Sequence, residues 1–249
     1  MEISILTTVK NDIRNIGLLI SSLKVLDNEF EIVVVDAYST DGTYEYLQKV
    51  GNDMNLVLSR KNGNRAVGRN ECIRLSTGRK LVFLDSDSEI SANWGGVLKS
   101  FMDRNVMAGK IVQDPVSIWS DLERVPMLYK GKDVTYPSNN LVYDRKVIDD
   151  IGMFDEQFNT AEDIDLNIRA INGGYEIFYN EELVIRHHPR QTYSSLLRQS
   201  YSDGIGRKLI KKKYGLKSSF NRVNLKKHPL IESSRLAFGM LGYVLGGSN

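Results

Sequence analysis

Asp85 and Asp87, one residue apart, follow directly on the apolar run Leu81-Val82-Phe83-Leu84. Carboxylate oxygens are hard ligands, and two of them at a chain turn suit Mg2+ or Mn2+. Such an ion can bridge diphosphate oxygens and neutralise the charge that develops on a nucleotide leaving group. The same spacing occurs in solvated turns whose acids cap helices, so it is the position after a buried strand that favours a site. Asp36 ends a second run of this kind, Ile32-Val33-Val34-Val35. There it can accept from a base N–H or a ribose hydroxyl, or simply form the turn. Thr8 closes the first such run and can contact the same ligand, although a β-branched residue at a strand end needs no such role.

Further along, Glu162-Asp163 and Asp165 precede an amphipathic stretch. A carboxylate there can take the proton from an acceptor hydroxyl as its oxygen attacks an anomeric carbon. The competing reading is a helix cap, for Thr160 and Asp163 have the spacing of a capping box with Asp in place of Glu or Gln. His187-His188 follows an apolar run, where an imidazole can complete a metal's coordination or donate to a phosphate oxygen. Residues 63–70, Gly-Asn-Arg-Ala-Val-Gly-Arg-Asn, open a helix with the guanidinium groups of Arg65 and Arg69 close to its N-terminus, a setting that can meet a base or phosphate. No Gly-Lys-Ser/Thr follows, which excludes a Walker-type phosphate loop.

The elements that must position these groups are legible as alternating patterns. Residues 3–8, 32–35, 56–58 and 81–84 read as strands, and 13–26, 43–50 and 66–76 as helices between them. This βα alternation predicts a mostly parallel, doubly wound sheet flanked by helices, with ligands beyond the carboxyl ends of its strands. Beyond residue 90 the alternation stops. Strands are predicted at 138–143, 176–179 and 183–187, and helices at 147–151, from 166 to Gly173-Gly174, and from 193 to about 214.

The chain has 249 residues, 33 Lys and Arg against 31 Asp and Glu, and a net charge of +2, which excludes a dedicated nucleic-acid binder. Its positive charge is concentrated late: between residues 186 and 235 Arg198, Arg207, Lys208 and Lys211 to Lys213 are among eleven cations after Arg186 and before Arg235, opposed by Asp203 and Glu232. A basic helix of this kind is by default solvated, but it can also hold a pyrophosphate or meet an anionic lipid surface. Residues 236–245 are apolar and too short to span a bilayer, for which about 20 residues are needed. They suit a packed terminal helix or a membrane-surface segment. The single cysteine, Cys72, precludes an intramolecular disulfide, and the N-terminus lacks a basic region followed by an apolar run. A cytoplasmic enzyme, at the inner face of the cell membrane, is the expectation.

Taken in order, Val33-Val34-Val35-Asp36, Ser39-Thr40-Asp41-Gly42-Thr43, Arg69-Asn70, Ser76-Thr77-Gly78 and Phe83-Leu84-Asp85-Ser86-Asp87 resemble the inverting family 2 glycosyltransferases. Glu162-Asp163-Ile164-Asp165-Leu166 with Arg169, and His187-His188-Pro189, are similar to the same family. The resemblance implies a single domain of the A-type glycosyltransferase fold over residues 1–213, with a nucleotide-binding half at 1–90 and an acceptor-binding half at 91–213. Residues 214–249 would form a helical, basic C-terminal extension with a possible membrane contact. It further implies a nucleotide-diphosphate sugar held by Thr8, Asp36, Arg65, Arg69, Asp85 and Ser86, and Mn2+ or Mg2+ on Asp87 with Asp85 and His187. Asp163 would be the base, and Glu162 and Asp165 would orient the acceptor hydroxyl, which a lipid-linked or free glycan could supply.

The chain departs from the family in having Thr8-Val9-Lys10-Asn11, without the usual proline and aromatic residue, and Arg198-Gln199-Ser200-Tyr201 in place of a Gln-x-x-Arg-Trp helix. The second departure disfavours processive polymer synthesis. Two other classes compete. Asp85-Ser86-Asp87-Ser88 superficially resembles a haloacid-dehalogenase phosphatase, whose nucleophile normally follows the first strand, and the fold alone would also serve a non-catalytic nucleotide-binding or membrane-surface module.

Overall fold

A computed structural model describes residues 2–27, 29–114, 122–188, 192–216 and 222–246. Its first half is the expected βα series: β1 (Ile3–Val9), α1 (Ile13–Leu23), β2 (Phe30–Asp36), α2 (Thr43–Gly51), β3 (Leu56–Arg60), α3 (Arg65–Leu75) and β4 (Lys80–Phe83). Every residue of β2 is buried, which requires cover on both faces of the sheet. Alternation along the strands supplies it. Ile3, Ile5, Ile32 and Val34 pack with Ile16, Leu19, Ile20 and Leu23 of α1 on one face, and Leu6, Val33 and Val35 pack with Ala66, Cys72 and Ile73 of α3 on the other. The α1 residues recur at helical spacing, so one apolar stripe closes that face.

The second half contains β5 (Ser88–Ile90), α4 (Trp94–Ser100), β6 (Val106–Gln113), β7 (Leu128–Tyr129), β8 (Lys132–Asp133), β9 (Leu141–Asp144), α5 (Arg145–Ile151), α6 (Glu162–Asn172), β10 (Ile177–His187), α7 (Tyr193–Tyr214), α8 (Arg222–Lys227) and α9 (Pro229–Leu245). Eight strands form one sheet in the order β3-β2-β1-β4-β9-β6-β10-β5, and β7 and β8 form a small hairpin. The sheet is parallel through β3, β2, β1 and β4 and again between β6 and β10. β9 runs against both β4 and β6, and β5 runs against β10. The result is a mixed α/β domain whose first half is wholly parallel.

Two strand expectations change in detail. The two runs expected at 176–179 and 183–187 are one strand, β10, with a register shift between Asn180 and Val184. The strand expected from residue 138 starts only at Leu141, because Asn140 has a left-handed backbone (φ 73°), although its N–H and carbonyl still bond to Phe83 and Gly109. The Asn140 amide donates to the carbonyls of Leu183 (2.7 Å) and Lys110 (3.2 Å), and its oxygen accepts from the indole of Trp94 (3.1 Å). A Cβ on Gly109 would lie 2.1 Å from that amide nitrogen, so glycine is required where β6 passes Asn140.

Candidate active site

The parallel register brings the expected residues to one edge. Thr8 pairs with Val35 and Val9 with Asp36, while Leu6 pairs with Phe83, so β1, β2 and β4 end side by side. Asp36 is fully buried and accepts from the Ser39 N–H at 2.9 Å. Arg60, at the end of β3, places Nε 3.4 Å from the same carboxylate and lies 3.5 Å from the ring centroid of Tyr44. Beside Asp36 a shallow recess is lined by Lys10, Ala37, Tyr38 and Asn62. Tyr38 is exposed and has a left-handed backbone (φ 57°), a cost of order 1–3 kcal/mol that tends to mark functional turns. The turn signal at Asp36 to Ser39 pointed to this loop, but nothing in the sequence singled out Tyr38 or Arg60.

On the next strand tip, Asp85 accepts from Arg69 Nη2 at 2.9 Å, and its N–H donates to the Asn139 side chain at 3.3 Å. Burial opposes its charge, but the charges of Arg69, Arg65 and His187 outweigh burial and hold the carboxyl below the usual range. The Ser86 hydroxyl donates to Asp12 at 2.9 Å. Arg65 is exposed in the first turn of α3, where its charge reaches both Asp85 and Asp203.

Asp87 faces His187, with Nε2 3.3 Å from Oδ2. Its other oxygen, Oδ1, is buried and meets no hydrogen-bond donor among the described residues. Pairing of β5 with β10 produces this meeting by setting Ser88 opposite His187. Although burial disfavours its charge, the surrounding Asp87, Asp85 and Asp114 raise the His187 pKa. His188 points elsewhere: its ring lies between the carboxylates of Asp114 and Glu89, and only its N–H reaches the Asp87 carbonyl, at 2.8 Å. Of the two adjacent histidines it is therefore His187 whose ring faces Asp87. Among the described residues no three His, Cys, Asp or Glu side chains form a metal cage. Asp85, expected beside Asp87 and His187, has one carboxylate oxygen on Arg69.

The acids of α6 divide by face. Its first residue, Glu162, is buried and pairs with Arg69 Nη1, so one guanidinium joins the start of α6 to the tip of β4. Arg69 is only 4% exposed, and its two amino groups meet these carboxylates. Close packing of α3 on β1 sets its height, for a Cβ on Gly68 would lie 2.8 Å from Thr8 Cγ2. Asn70 beside it holds the loop before α6, exchanging hydrogen bonds with the Phe154 backbone at 2.9 Å each.

Asp163 accepts from the N–H groups of Ile164 (2.8 Å) and Ser138 (3.3 Å). Burial, and then the neighbouring Glu162, push its pKa up to about 7, against the pull of Arg69. The capping box does not form: the N-cap is Ala161, in a left-handed conformation and without a side-chain cap. Asp165, expected as an acceptor ligand, has partners within the fold. It is fully buried on another face of α6 and receives Arg169 Nε (2.9 Å), the Tyr214 hydroxyl (2.6 Å) and Lys213 Nζ (2.6 Å), tying α6 to the end of α7. Glu162 is likewise committed to Arg69. The phosphatase-like arrangement fails as well, since Asp85 follows β4 and not the first strand.

Among solved structures, a Staphylococcus aureus TarS fragment in complex with UDP-GlcNAc matches with a TM-score of 0.64 at 20% identity, covering 98% of this chain and 82% of that one. A mannosyltransferase from Pyrobaculum calidifontis in complex with GDP-Man and Mn2+ matches with a TM-score of 0.66 at 18% identity, covering all of this chain and 76% of that one. At these identities the likeness is one of fold. In sequence, glycosyltransferase AglE of Haloferax volcanii is 23% identical over 222 residues, 82% of this chain and 72% of that protein. The poly(ribitol-phosphate) beta-N-acetylglucosaminyltransferase TarS of S. aureus is 32% identical over 111 residues, 42% of this chain but 19% of that protein. A family model described as glycosyl transferase family group 2 matches residues 124–247. The glycosyl transferase family 2 model matches residues 4–154, more than half the chain and the span holding the strand tips with Thr8, Asp36, Asp85 and Asp87, and the chain is a family 2 glycosyltransferase.

Proposed function

We propose that this enzyme transfers a sugar, with inversion, from a nucleotide-diphosphate donor to an acceptor hydroxyl, assisted by Mn2+ or Mg2+. The observation that carries the reading is the pairing of Asp87, whose buried Oδ1 meets no donor among the described residues, with His187 at 3.3 Å. An oxygen left without a donor in a buried setting is costly unless a cation or ligand completes it. Asp87 and His187 would hold the ion, leaving its other positions to the donor diphosphate. When bound, it supplies Lewis-acid neutralisation of the departing diphosphate. The complexes of similar folds with UDP-GlcNAc and with GDP-Man and Mn2+ support a donor of this class.

The chain's residues supply the rest. Asp36 and the recess beside it would receive the nucleoside, and exposed Arg65 would meet the diphosphate. Asp163 would take the proton from the acceptor hydroxyl as the oxygen forms its bond to the anomeric carbon. The bond from that carbon to the diphosphate breaks, and the electron pair leaves with the nucleotide. One base suffices because a single in-line displacement forms no covalent glycosyl-enzyme. The test is calorimetric titration with UDP, GDP and TDP sugars, with and without Mn2+, followed by NMR of the product's anomeric centre. Mn2+-dependent binding of one donor and an inverted product are expected. Retained configuration, or no donor binding, would overturn the reading.

A further inference from the structure

The last helix is built the wrong way round for a helix that serves only to pack. Its inner face is glycine: a Cβ on Gly242 would lie 1.9 Å from the Tyr201 carbonyl oxygen, and one on Gly204 of α7 would lie 2.0 Å from that of Gly239. Its outer face carries Leu230, Phe238, Met240, Leu241, Val244 and Leu245, all exposed, with Leu230 at 84%, Met240 at 69% and Val244 at 66%. At helical spacing these residues form one stripe along α9. Amphipathic helices of globular proteins bury such a stripe and expose their small or polar side.

Lysines flank the stripe at both ends. Lys226 and Lys227 are exposed in α8, immediately before α9, with Lys227 paired to Glu123 at 3.3 Å, and Lys211 and Lys212 are exposed in the last turn of α7. Lys211 Nζ lies 5.6 Å from the Tyr243 ring centroid, and Lys208 Nζ donates to the Gly246 carbonyl at 2.9 Å, so this basic end is fixed against the end of α9. No helix among the described residues is long and apolar enough to cross a membrane.

We propose that α9 lies flat on an anionic phospholipid bilayer, with its apolar stripe among the acyl chains and the four lysines at the headgroups. An apolar stripe bounded by cations is the complement of such a surface. A second copy fits less well, because two-fold pairing of the same stripe would set lysines against lysines without an intervening acid on the stripe. The surface is also connected to the catalytic end. α9 rests on α7, and Gly206 of α7 abuts Thr160 and Ala161, the entry to the helix carrying Asp163, where a Cβ would meet Ala161 Cβ at 2.8 Å. Each helix-to-helix step is about 8–10 Å between axes, which would hold the cleft close above the bilayer.

Vesicle flotation tests the surface without calling on the transfer reaction. The chain is floated with vesicles of phosphatidylglycerol and phosphatidylcholine, or of phosphatidylcholine alone, and compared with Met240→Glu/Val244→Glu and with Lys211→Glu/Lys212→Glu. All four positions are exposed, and thermal melting with donor binding checks the fold of each variant. Flotation with the anionic vesicles is expected, weakened by salt, with each lysine worth about fivefold. Both variants should lose it at least about tenfold while melting as the parent does. Absence of parent flotation, or variants that float like the parent, would overturn the proposal. So would a parent dimer in sedimentation equilibrium that Met240→Glu/Val244→Glu splits. Loss of flotation with intact donor binding and transfer would concern α9 alone, whereas flotation without donor binding would count against the transferase mechanism.

Discussion

Asp87 and His187 meet at 3.3 Å because β5 folds back antiparallel to β10, so the residue after one strand's acid stands opposite the histidine that ends the other. The pair should be what a divalent ion finds in the chain. Asp87→Ala is expected to weaken Mn2+-dependent donor binding by at least about 100-fold, and His187→Ala by about 10- to 100-fold. A chelator should reproduce the Asp87→Ala result in the parent. Calorimetry with the preferred donor measures all three, and unchanged affinity in Asp87→Ala would remove this carboxylate from the site.

If Asp163 is the base, as proposed, it should set the acid limb of the rate. With its pKa pushed up to about 7, it is protonated below neutrality, and transfer should fall about tenfold for each further pH unit. Asp163→Asn should keep donor binding and lose transfer by about 10²- to 10⁴-fold. The stability effect has the opposite sense. A carboxyl whose folded value is raised binds its proton more tightly in the native state, so its contribution declines as pH rises from about 4 to about 7. Asp163→Asn should therefore melt no lower than the parent at pH 8, and a lower melting temperature there would mean that the charged form is stabilising.

How much of this was legible follows from which interactions are local. The parallel half could be read because each strand carries its own apolar run and each acid follows that run directly, as Asp36 and Asp85 do. His187 could be named as a candidate but not separated from His188, since only the pairing of β10 with β5 decides which imidazole faces Asp87. Glu162, Asp163 and Asp165 share one short stretch, yet helical rotation sends them to Arg69, to the Ser138 amide and to Lys213 with Tyr214. Asn140, whose left-handed backbone precedes β9, gave no signal because its side-chain partners, Leu183, Lys110 and Trp94, are all distant in sequence.

Arg69 is expected to act through the groups it holds. Arg69→Met leaves the buried Glu162 without its cation, which should cost about 3–5 kcal/mol in chemical denaturation, with the half-exposed Asp85 adding little. Because the Arg69 charge pulls the Asp163 pKa down, its removal should also move the acid limb of transfer to higher pH. Arg69→Lys keeps a charge but not the fork, and should restore the limb more fully than the stability. A limb that stays in place in Arg69→Met would separate Arg69 from the base.

Asp165 offers the sharpest test of the division on α6, since sequence spacing places it with Asp163 and the fold does not. Its carboxylate is fully buried and takes Arg169, Tyr214 and Lys213, so it joins α6 to the end of α7. Asp165→Ala should therefore cost about 1–3 kcal/mol, since it removes the shared acceptor of Arg169 Nε, Tyr214 and Lys213 while Lys213 keeps Asp155 and Arg169 keeps the carbonyls of Ile151, Gly152 and Met153. Acceptor KM and the pH limb of transfer should remain those of the parent wherever the variant is folded. The opposite pattern, a raised acceptor KM with unchanged denaturation, would mean that Asp165 turns toward the cleft and orients the acceptor after all. Comparing that KM with Asp163→Asn in the same assay distinguishes a residue that meets the substrate from one that holds the helix presenting it.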